Sequence, residues 1–234
     1  MEERTRINFA VAGFENLEQQ LAECMDFLPF IEENKKAISP KFVPIIMDAC
    51  SLIESILHEI TSSNYKEHFN FKKYCSLHES SLQLEENASL FLTLPVQILQ
   101  PYKSWSKKSP VWWNAYNKLK HDRLNNYHFA TYMNAVNALA GLHQLMSKQY
   151  DFIGAFLKAG WIDTHDFEVT ENLCSSVHVG TKVDVVIESK LFASSTNENF
   201  VNPVNSDELY FDVNYDAYGL SERIRNMLFA HEDW

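Results

Sequence analysis

One stretch of the sequence combines side chains that can bind phosphate with side chains that can move protons. Residues of these types recur four apart, or nearly so, which in a helix places them on one side. There are two such stripes: Trp113, Asn117 and His121, and beside them Tyr116, Lys120 and Arg123. Histidine transfers protons near neutral pH, and Lys and Arg stabilise negative charge that develops on a phosphate. Metal-independent RNA cleavage needs these groups, because the RNA 2′-hydroxyl can attack its own phosphodiester.

Positive charge is concentrated around this stretch. Six basic residues and one acid give Lys103–Arg123 a formal charge of +5, whereas the whole chain carries −11. Basic residues interleaved with aromatic ones are typical of surfaces that bind phosphates and stack bases. We therefore predict RNA or phosphate binding by the following residues: Lys107, Lys108, Trp113, Tyr116, Lys118 and Lys120. The alternative is that the tryptophans belong to the core and the lysines are ordinary helix surface.

Composition limits the class of protein. Of the 234 residues, 46% are hydrophobic and 13% aromatic, which is enough to build a core. The net charge of −11 opposes extensive wrapping by nucleic acid but allows a local basic site. Four widely spaced cysteines predict neither a disulfide framework nor a zinc site, and they favour a reducing, cytoplasmic location.

Other kinds of site find little support in the sequence. The nine histidines show no metal-ligand spacing, and phosphate-loop and dinucleotide fingerprints are missing, so we predict no metal and no cofactor. We expect no signal peptide, and the most apolar stretch, Phe42–Ile60, is too short and too charged to cross a membrane. Glu54 lies within that stretch and is expected to make a structural hydrogen bond or to face solvent.

The spacing of apolar residues predicts a mainly α protein. Predicted helices cover Phe14–Ala37, interrupted by Pro29, then Lys41–Ser62, Tyr65–Glu86, a helix capped by Ser109-Pro110 that ends near Arg123, and Tyr127–Tyr150. Residues Leu90–Tyr102 are predicted to be a connector or short strand. The C-terminal part is predicted to contain a hairpin at Val177–Ile187, a polar loop at Ser194–Ser206, a strand at Leu209–Tyr215 and a helix at Ser221–Ala230. We therefore expect a helical bundle over residues 1–155 and a small α+β extension over 156–234.

The run Tyr-Asn-Lys-Leu-Lys-His at residues 116–121, after an apolar helix containing Ile53-Glu54-Ser55, resembles HEPN domains. The resemblance covers roughly residues 14–150. It implies a helical bundle, often dimeric, in a family with many RNA-cleaving toxins and antiviral effectors. The family signature is an arginine, commonly followed by a polar residue such as asparagine, and a histidine about five positions after the arginine. Asn117 and His121 match this signature, whereas Tyr116 occupies the arginine position.

The resemblance implies roles for these residues. His121 would be the acid–base group, Asn117 would orient it or bind phosphate, and Lys120 and Arg123 would clamp the phosphate. A homodimer would bring two His121 side chains together, and an antitoxin or defence-system protein would be a partner. Whether the chain is an enzyme stays open, because the alternative is a non-catalytic interaction or dimerisation module anchored by Trp112 and Trp113. An enzyme should show His121 and another polar group in a basic groove; a module should bury Tyr116 and leave His121 exposed alone.

Overall fold

The computed structural model describes residues 2–62, 69–163, 184–196, 200–203, 211–217 and 219–232. The chain divides into two compact units. We call Ala12–Glu86 with Gln100–Leu145 the helical unit, and Met1–Val11, Asn87–Leu99 and Met146–Trp234 the sheet unit. The predicted boundary between residues 155 and 156 stays a prediction, although the sheet unit also draws on segments before it.

The protein is mainly helical, as predicted. The helices are α1 (Glu2–Met25), α2 (Phe42–Ser62), α3 (Phe71–Leu82), α4 (Val111–His121), α5 (Tyr132–Ser147), α6 (Ile153–Ala159) and α7 (Glu222–Glu232). Three single turns of 3-10 helix lie between them, at Glu32–Asn34, Tyr127–Phe129 and Tyr150–Phe152. Among the described residues, none of these helices has the length and hydropathy needed to cross a membrane.

Several predicted helix ends are wrong. Helix α1 ends at Met25, so Pro29 lies beyond it rather than inside it; proline disfavours helical backbone at the residue before it. At α4, Pro110 rather than Ser109 holds the N-cap position, without a side-chain hydrogen bond. Helix α5 begins at Tyr132, because the residues before it form a 3-10 turn and then an isolated β-bridge between Thr131 and Ile38 instead of a helical turn. Of the helix predicted at 65–86, residues 65–68 lie outside the described part.

Helix α2 forms the centre of the helical unit, as its sequence pattern predicts. Its apolar residues recur at helical spacing, and Ile45, Ile46, Cys50, Ile53 and Leu57 are all buried. This continuous apolar surface explains why both α3 and α4 pack against it. Burial of this surface is therefore what positions α4.

The sheet unit contains a four-stranded antiparallel sheet and a separate two-stranded one. The strands are β1 (Ser89–Phe91), β2 (Gln97–Leu99), β3 (Val186–Glu188) and β4 (Phe192–Ser195), in the order β2-β1-β4-β3, with β5 (Val201–Pro203) paired to β6 (Phe211–Val213). Leu90 lies between Ile98 and Ala193 across the larger sheet. These apolar residues share a buried cluster with Ile224 and Leu228 of α7.

The C-terminal predictions have mixed outcomes. The strand within Leu209–Tyr215 and the helix within Ser221–Ala230 are confirmed in the described residues by β6 and α7. The polar loop predicted at Ser194–Ser206 is wrong, because Ser194 and Ser195 belong to β4 and residues 201–203 form β5. Residues 177–183 of the predicted hairpin lie outside the described part. Residues 186–188 form a strand, and its hairpin partner is β4.

Candidate functional site

The inward face of α4 is determined by apolar residues at helical spacing. Trp112, Ala115, Tyr116 and Leu119 are spaced three or four apart, and each is at most 2% exposed. Trp113 beside them is 4% exposed. This face packs against α2, so the helix is fixed along its length by burial rather than by capping alone.

Both tryptophans of α4 belong to an aromatic cluster inside the helical unit. The ring of Trp113 stacks on Phe71 of α3 with the centroids 4.0 Å apart. The indole Nε1 of Trp112 donates a hydrogen bond of 2.7 Å to the carbonyl oxygen of Pro101. Their burial speaks against a role for Trp113 in base stacking. It also speaks against Trp112 and Trp113 as anchors of an exposed interface.

Tyr116 is buried at its ring and held at its hydroxyl by two charged groups. The hydroxyl donates to Glu54 Oε2 of α2 at 2.9 Å, and Lys120 Nζ, one turn later, donates to the same hydroxyl at 3.0 Å. Lys120 Nζ also lies 3.4 Å from Glu54 Oε2 and 5.0 Å from the centroid of the Tyr116 ring. Of the two outcomes expected for Glu54, the structural hydrogen bond is thereby confirmed, and its partner is Tyr116.

The pKa shifts in this network keep both donors protonated. Burial raises the pKa of Tyr116, and the Glu54 carboxylate raises it further, while Lys120 opposes the shift. The hydrogen bond to Tyr116 raises the pKa of Lys120, and Glu54 adds to that shift. Tyr116 therefore acts as a neutral donor to Glu54 rather than as a base. The charge of Lys120 is partly balanced by Glu54, so Lys120 is a weaker phosphate clamp than its sequence position suggests.

The outward end of α4 carries the other predicted site residues. Asn117 is half-buried, and Lys118, His121 and Arg123 are exposed. Within the described part of the chain, these four side chains make no hydrogen bond or ion pair. Cations at a helix C-terminus also complement the helix dipole, so their position alone does not identify a ligand.

The stripe of Trp113, Asn117 and His121 does not lie on a single face. A step of four residues overshoots one helical turn by roughly 40°. The stripe therefore turns from the core at Trp113 to solvent at His121, with Asn117 between them. Of the three residues, only Asn117 and His121 are therefore available to a ligand.

The predicted phosphate-binding lysines are split between the two ends of α4. Lys107 and Lys108 are exposed in the turn before the helix, and Lys118 lies in its last turn. A helix of 11 residues is roughly 16 Å long at 1.5 Å per residue. The basic segment therefore forms two groups of cations rather than the one patch that the sequence suggested.

The segment after α4 was missed as part of the site. Asp122 ends the helix, and its carboxylate accepts hydrogen bonds from the Asn125 backbone N–H at 3.2 Å and from Asn125 Nδ2 at 2.6 Å. These hydrogen bonds hold the pKa of Asp122 below its usual value. Asn126 Nδ2 donates to the carbonyl oxygens of Lys118, at 3.1 Å, and of Asp122, at 2.8 Å. We call residues 122–127 the capping loop; its adjacent asparagines were the available sequence signal.

A metal centre finds no support in the described residues, which contain no group of three His, Cys, Asp or Glu side chains able to hold an ion. His121 does not approach another described polar side chain within hydrogen-bonding distance. Asn117, Lys118, His121 and Arg123 therefore form a surface suited to binding an anion. Within the described ranges, one chain does not bring an acid and a base together at this surface.

Comparison with known proteins adds no relative to this description. No protein-family model matches the chain, and neither the curated proteins nor the solved structures gave a match.

Proposed function

We propose that the chain binds RNA through the end of α4, with Lys118, His121 and Arg123 contacting phosphates and Asn117 donating a hydrogen bond beside them. The observation that carries this proposal is the contrast with Lys120. Lys120 is engaged by Glu54 and Tyr116. The other predicted site residues at this end of α4 have no partner among the described residues: Asn117, Lys118, His121 and Arg123. Side chains left unpaired on a buried and well-packed helix are available to a ligand without rearrangement.

Charge supports a small RNA footprint rather than a long one. Phosphate contacts provide most of the affinity of proteins for nucleic acid, and each contact releases counterions. Lys103–Arg123 carries a formal charge of +5 in a chain of −11, so the rest of the surface opposes a polyanion. RNA should therefore contact only the basic region around α4.

Cleavage, as in the toxin and antiviral members of the HEPN family, would require a second copy of the chain. Acid–base cleavage of RNA needs one group to take a proton and another to give one, and among the residues that the structure describes each chain supplies only His121 at this surface. Tyr116 supplies no cation at the family's arginine position, because a phenol carries no positive charge, and its hydroxyl donates a hydrogen bond to Glu54. A homodimer that pairs the ends of α4 would place two His121 side chains beside one phosphate.

A second candidate is a non-catalytic interaction module, and two observations favour it. Tyr116 is packed in the core, and His121 is exposed with no polar partner among the described residues. On this hypothesis the end of α4 binds another protein, such as an antitoxin or a defence-system component. An acidic partner surface would suit the same cations.

The test of RNA binding is fluorescence anisotropy with a labelled single-stranded RNA over a series of salt concentrations. Wild-type protein should bind, with affinity that falls as salt rises. A double Lys118→Ala, Arg123→Ala variant should bind more weakly, and the slope of log affinity against log salt should become shallower by about 0.7 for each cation removed. The matched control removes two exposed lysines elsewhere in the helical unit, Lys36→Ala with Lys72→Ala. An equal loss in both variants would mean non-specific attraction, and no binding by the wild type would overturn the proposal.

Cleavage is tested separately, with wild-type protein and His121→Ala in EDTA and circular dichroism of both to confirm folding. Cleavage by the wild type that is lost in the variant would support a nuclease centred on His121. A cleavage rate that rises with the square of protein concentration, at concentrations below the dimer dissociation constant, would support a site built from two chains. RNA binding without cleavage would support the proposed RNA-binding surface and would contradict the proposal that the protein is a nuclease.

A further inference from the structure

We propose that Tyr127 stacks on an unpaired base of the RNA whose phosphates contact the end of α4, so that the ligand is single-stranded RNA. This inference rests on the proposed function and deepens it by naming the form of the RNA and the group that contacts the base. It also reassigns base stacking, because the sequence placed it on Trp113 and Tyr116, which are 4% and 2% exposed.

Tyr127 is an exposed aromatic residue in the 3-10 turn that contacts α4. It is 61% exposed, and it is the last residue of the capping loop, which begins at Asp122 directly after α4. Its hydroxyl makes no hydrogen bond to a described residue, whereas the buried Tyr102 donates to the Gly141 carbonyl oxygen at 3.0 Å and Tyr116 donates to Glu54. A large exposed aromatic surface has a cost in water that a stacked base would remove.

The capping loop holds Tyr127 close to the helix end. Asn126 Nδ2 bridges the carbonyl oxygens of Lys118 and Asp122, and the Asn126 backbone N–H donates to the Asp122 carbonyl oxygen at 3.0 Å. Tyr127 follows directly and starts the 3-10 turn, in which the Ala130 N–H donates to its carbonyl oxygen at 2.9 Å. Its backbone is thus fixed on both sides. Ordering this segment on binding therefore costs less conformational entropy than ordering a mobile loop would.

The charged residues near Tyr127 indicate which class of ligand would bind. Lys118, His121 and Arg123 precede the ring, so an anionic chain with flat, apolar faces matches both parts of the surface. The one carboxylate among them, Asp122, is already hydrogen-bonded to Asn125. In a double helix the base faces are stacked on one another and closed to a side chain, whereas a single strand offers them to aromatic rings. The combination therefore fits an unpaired nucleotide.

The experiment compares two ligands of equal length: a short unstructured RNA and the same strand with abasic residues throughout. Anisotropy is measured for the wild type, Tyr127→Leu, Tyr127→Phe and Leu124→Ala. Leu124 is the matched control, because it is an apolar residue of the same loop and is 88% exposed. We expect Tyr127→Leu to weaken binding of the base-bearing RNA by roughly 5- to 150-fold, the size of one base–aromatic stack. Tyr127→Phe and Leu124→Ala should each change it less than about 2-fold, since neither removes the ring.

The abasic strand makes the result specific. With no bases to stack, it should bind wild type and Tyr127→Leu equally, while Lys118→Ala should still weaken it. Equal affinities of wild type and Tyr127→Leu for the base-bearing RNA would overturn the stacking proposal and leave RNA binding intact. Equal losses from Tyr127→Leu and Leu124→Ala would also overturn it and would indicate an apolar patch for a protein partner. No binding of either strand by the wild type would reject the proposed function itself.

Discussion

The two faces of α4 use similar residue types for different purposes. On the inward face, Trp113 and Tyr116 are buried and a cation, Lys120, is paired with Glu54. On the outward end, Tyr127 is exposed at the end of the capping loop, and Lys118 and Arg123 have no partner among the described residues. Aromatic and basic residues in one segment are therefore not evidence of a binding surface until the helix shows which of them are buried. Burial makes the two aromatic residues structural, and pairing with Glu54 does the same for Lys120. The second set is left for a ligand.

The largest effect should come from removing an inward aromatic ring. Trp113→Ala should lower the free energy of unfolding by about 3–5 kcal/mol, because it opens a cavity against Phe71. Urea denaturation measures this change. Val111→Ala on the same helix is the control, since Val111 is 72% exposed and surface changes usually cost less than about 0.5 kcal/mol. Similar effects of the two variants would contradict the assignment of an inward face.

A buried histidine provides the contrast with the exposed His121. His143 is fully buried in α5 against Phe14, with ring centroids 5.5 Å apart, and burial lowers the pKa of His143 to about 3. The folded state thus keeps His143 neutral, while the unfolded chain takes up a proton below its ordinary pKa of about 6.5. The neutral His143 therefore contributes its full stabilisation above a pH of about 6.5, and this contribution is lost as pH falls from about 6.5 towards 3. The free energy of unfolding should fall by about 1.4 kcal/mol between pH 7.5 and 5.5 for this reason.

The measurement is urea denaturation across that pH range, with His143→Leu compared with wild type. The variant should lose this part of the pH dependence. Leu142→Ala is the control, because it removes a neighbouring buried side chain and should lower stability by the same amount at every pH. An unchanged pH dependence in His143→Leu would show that the histidine takes up its proton in the folded state.

A smaller effect is expected at the hydroxyl that joins α4 to α2. Tyr116→Phe removes the hydrogen bonds with Glu54 and Lys120 and should lower the free energy of unfolding by about 0.5–1.5 kcal/mol. Tyr127→Phe is matched to it, because the Tyr127 hydroxyl has no hydrogen bond to a described residue, and it should change stability by less than about 0.5 kcal/mol. If Tyr116→Phe and Tyr127→Phe had equal effects in thermal or urea unfolding, the hydrogen bond to Glu54 would contribute nothing to stability.

The smallest effect on stability should come from the outward cations themselves. Lys118→Ala and Arg123→Ala should each change the free energy of unfolding by less than about 0.5 kcal/mol, since both side chains are exposed. Their effect should appear in RNA affinity instead. A loss of more than about 1 kcal/mol in urea denaturation would mean that these side chains stabilise the fold, and the division between the two faces would fail.

Sequence patterns predicted the parts of the fold that depend on local spacing. Helix α2 was predicted at Lys41–Ser62 and is found at Phe42–Ser62, because its apolar residues alone define it. Strand β4 was missed because its serines look like a loop. Ser194 Oγ lies 2.8 Å from Ser89 Oγ of β1, and both residues are buried. A partner 105 residues away in the chain leaves no local pattern.

The sequence suggested which residues to consider for the candidate site, but not which of their side chains contact one another. Spacing within α4 selected Asn117 and His121 as site residues, which stays a prediction. The apolar setting of Glu54 predicted either a structural hydrogen bond or a solvent-facing position, and the hydrogen bond is found. The pairing of Glu54 with Tyr116, 62 residues away, depends on how α2 and α4 pack, which neither helix reveals alone. Tyr127 was assigned to a helix, so its exposure was not foreseen.

Lysine footprinting tests most directly whether RNA binds at the outward end of α4. The protein is acetylated with and without saturating single-stranded RNA at low salt, and the loss of reactivity at each lysine is read by mass spectrometry. Our account predicts that RNA protects Lys118 and leaves Lys36 and Lys72, exposed elsewhere in the helical unit, as reactive as before. Protection of Lys36 or Lys72 while Lys118 stays reactive, or no protection at any lysine, would contradict RNA binding at the outward end of α4.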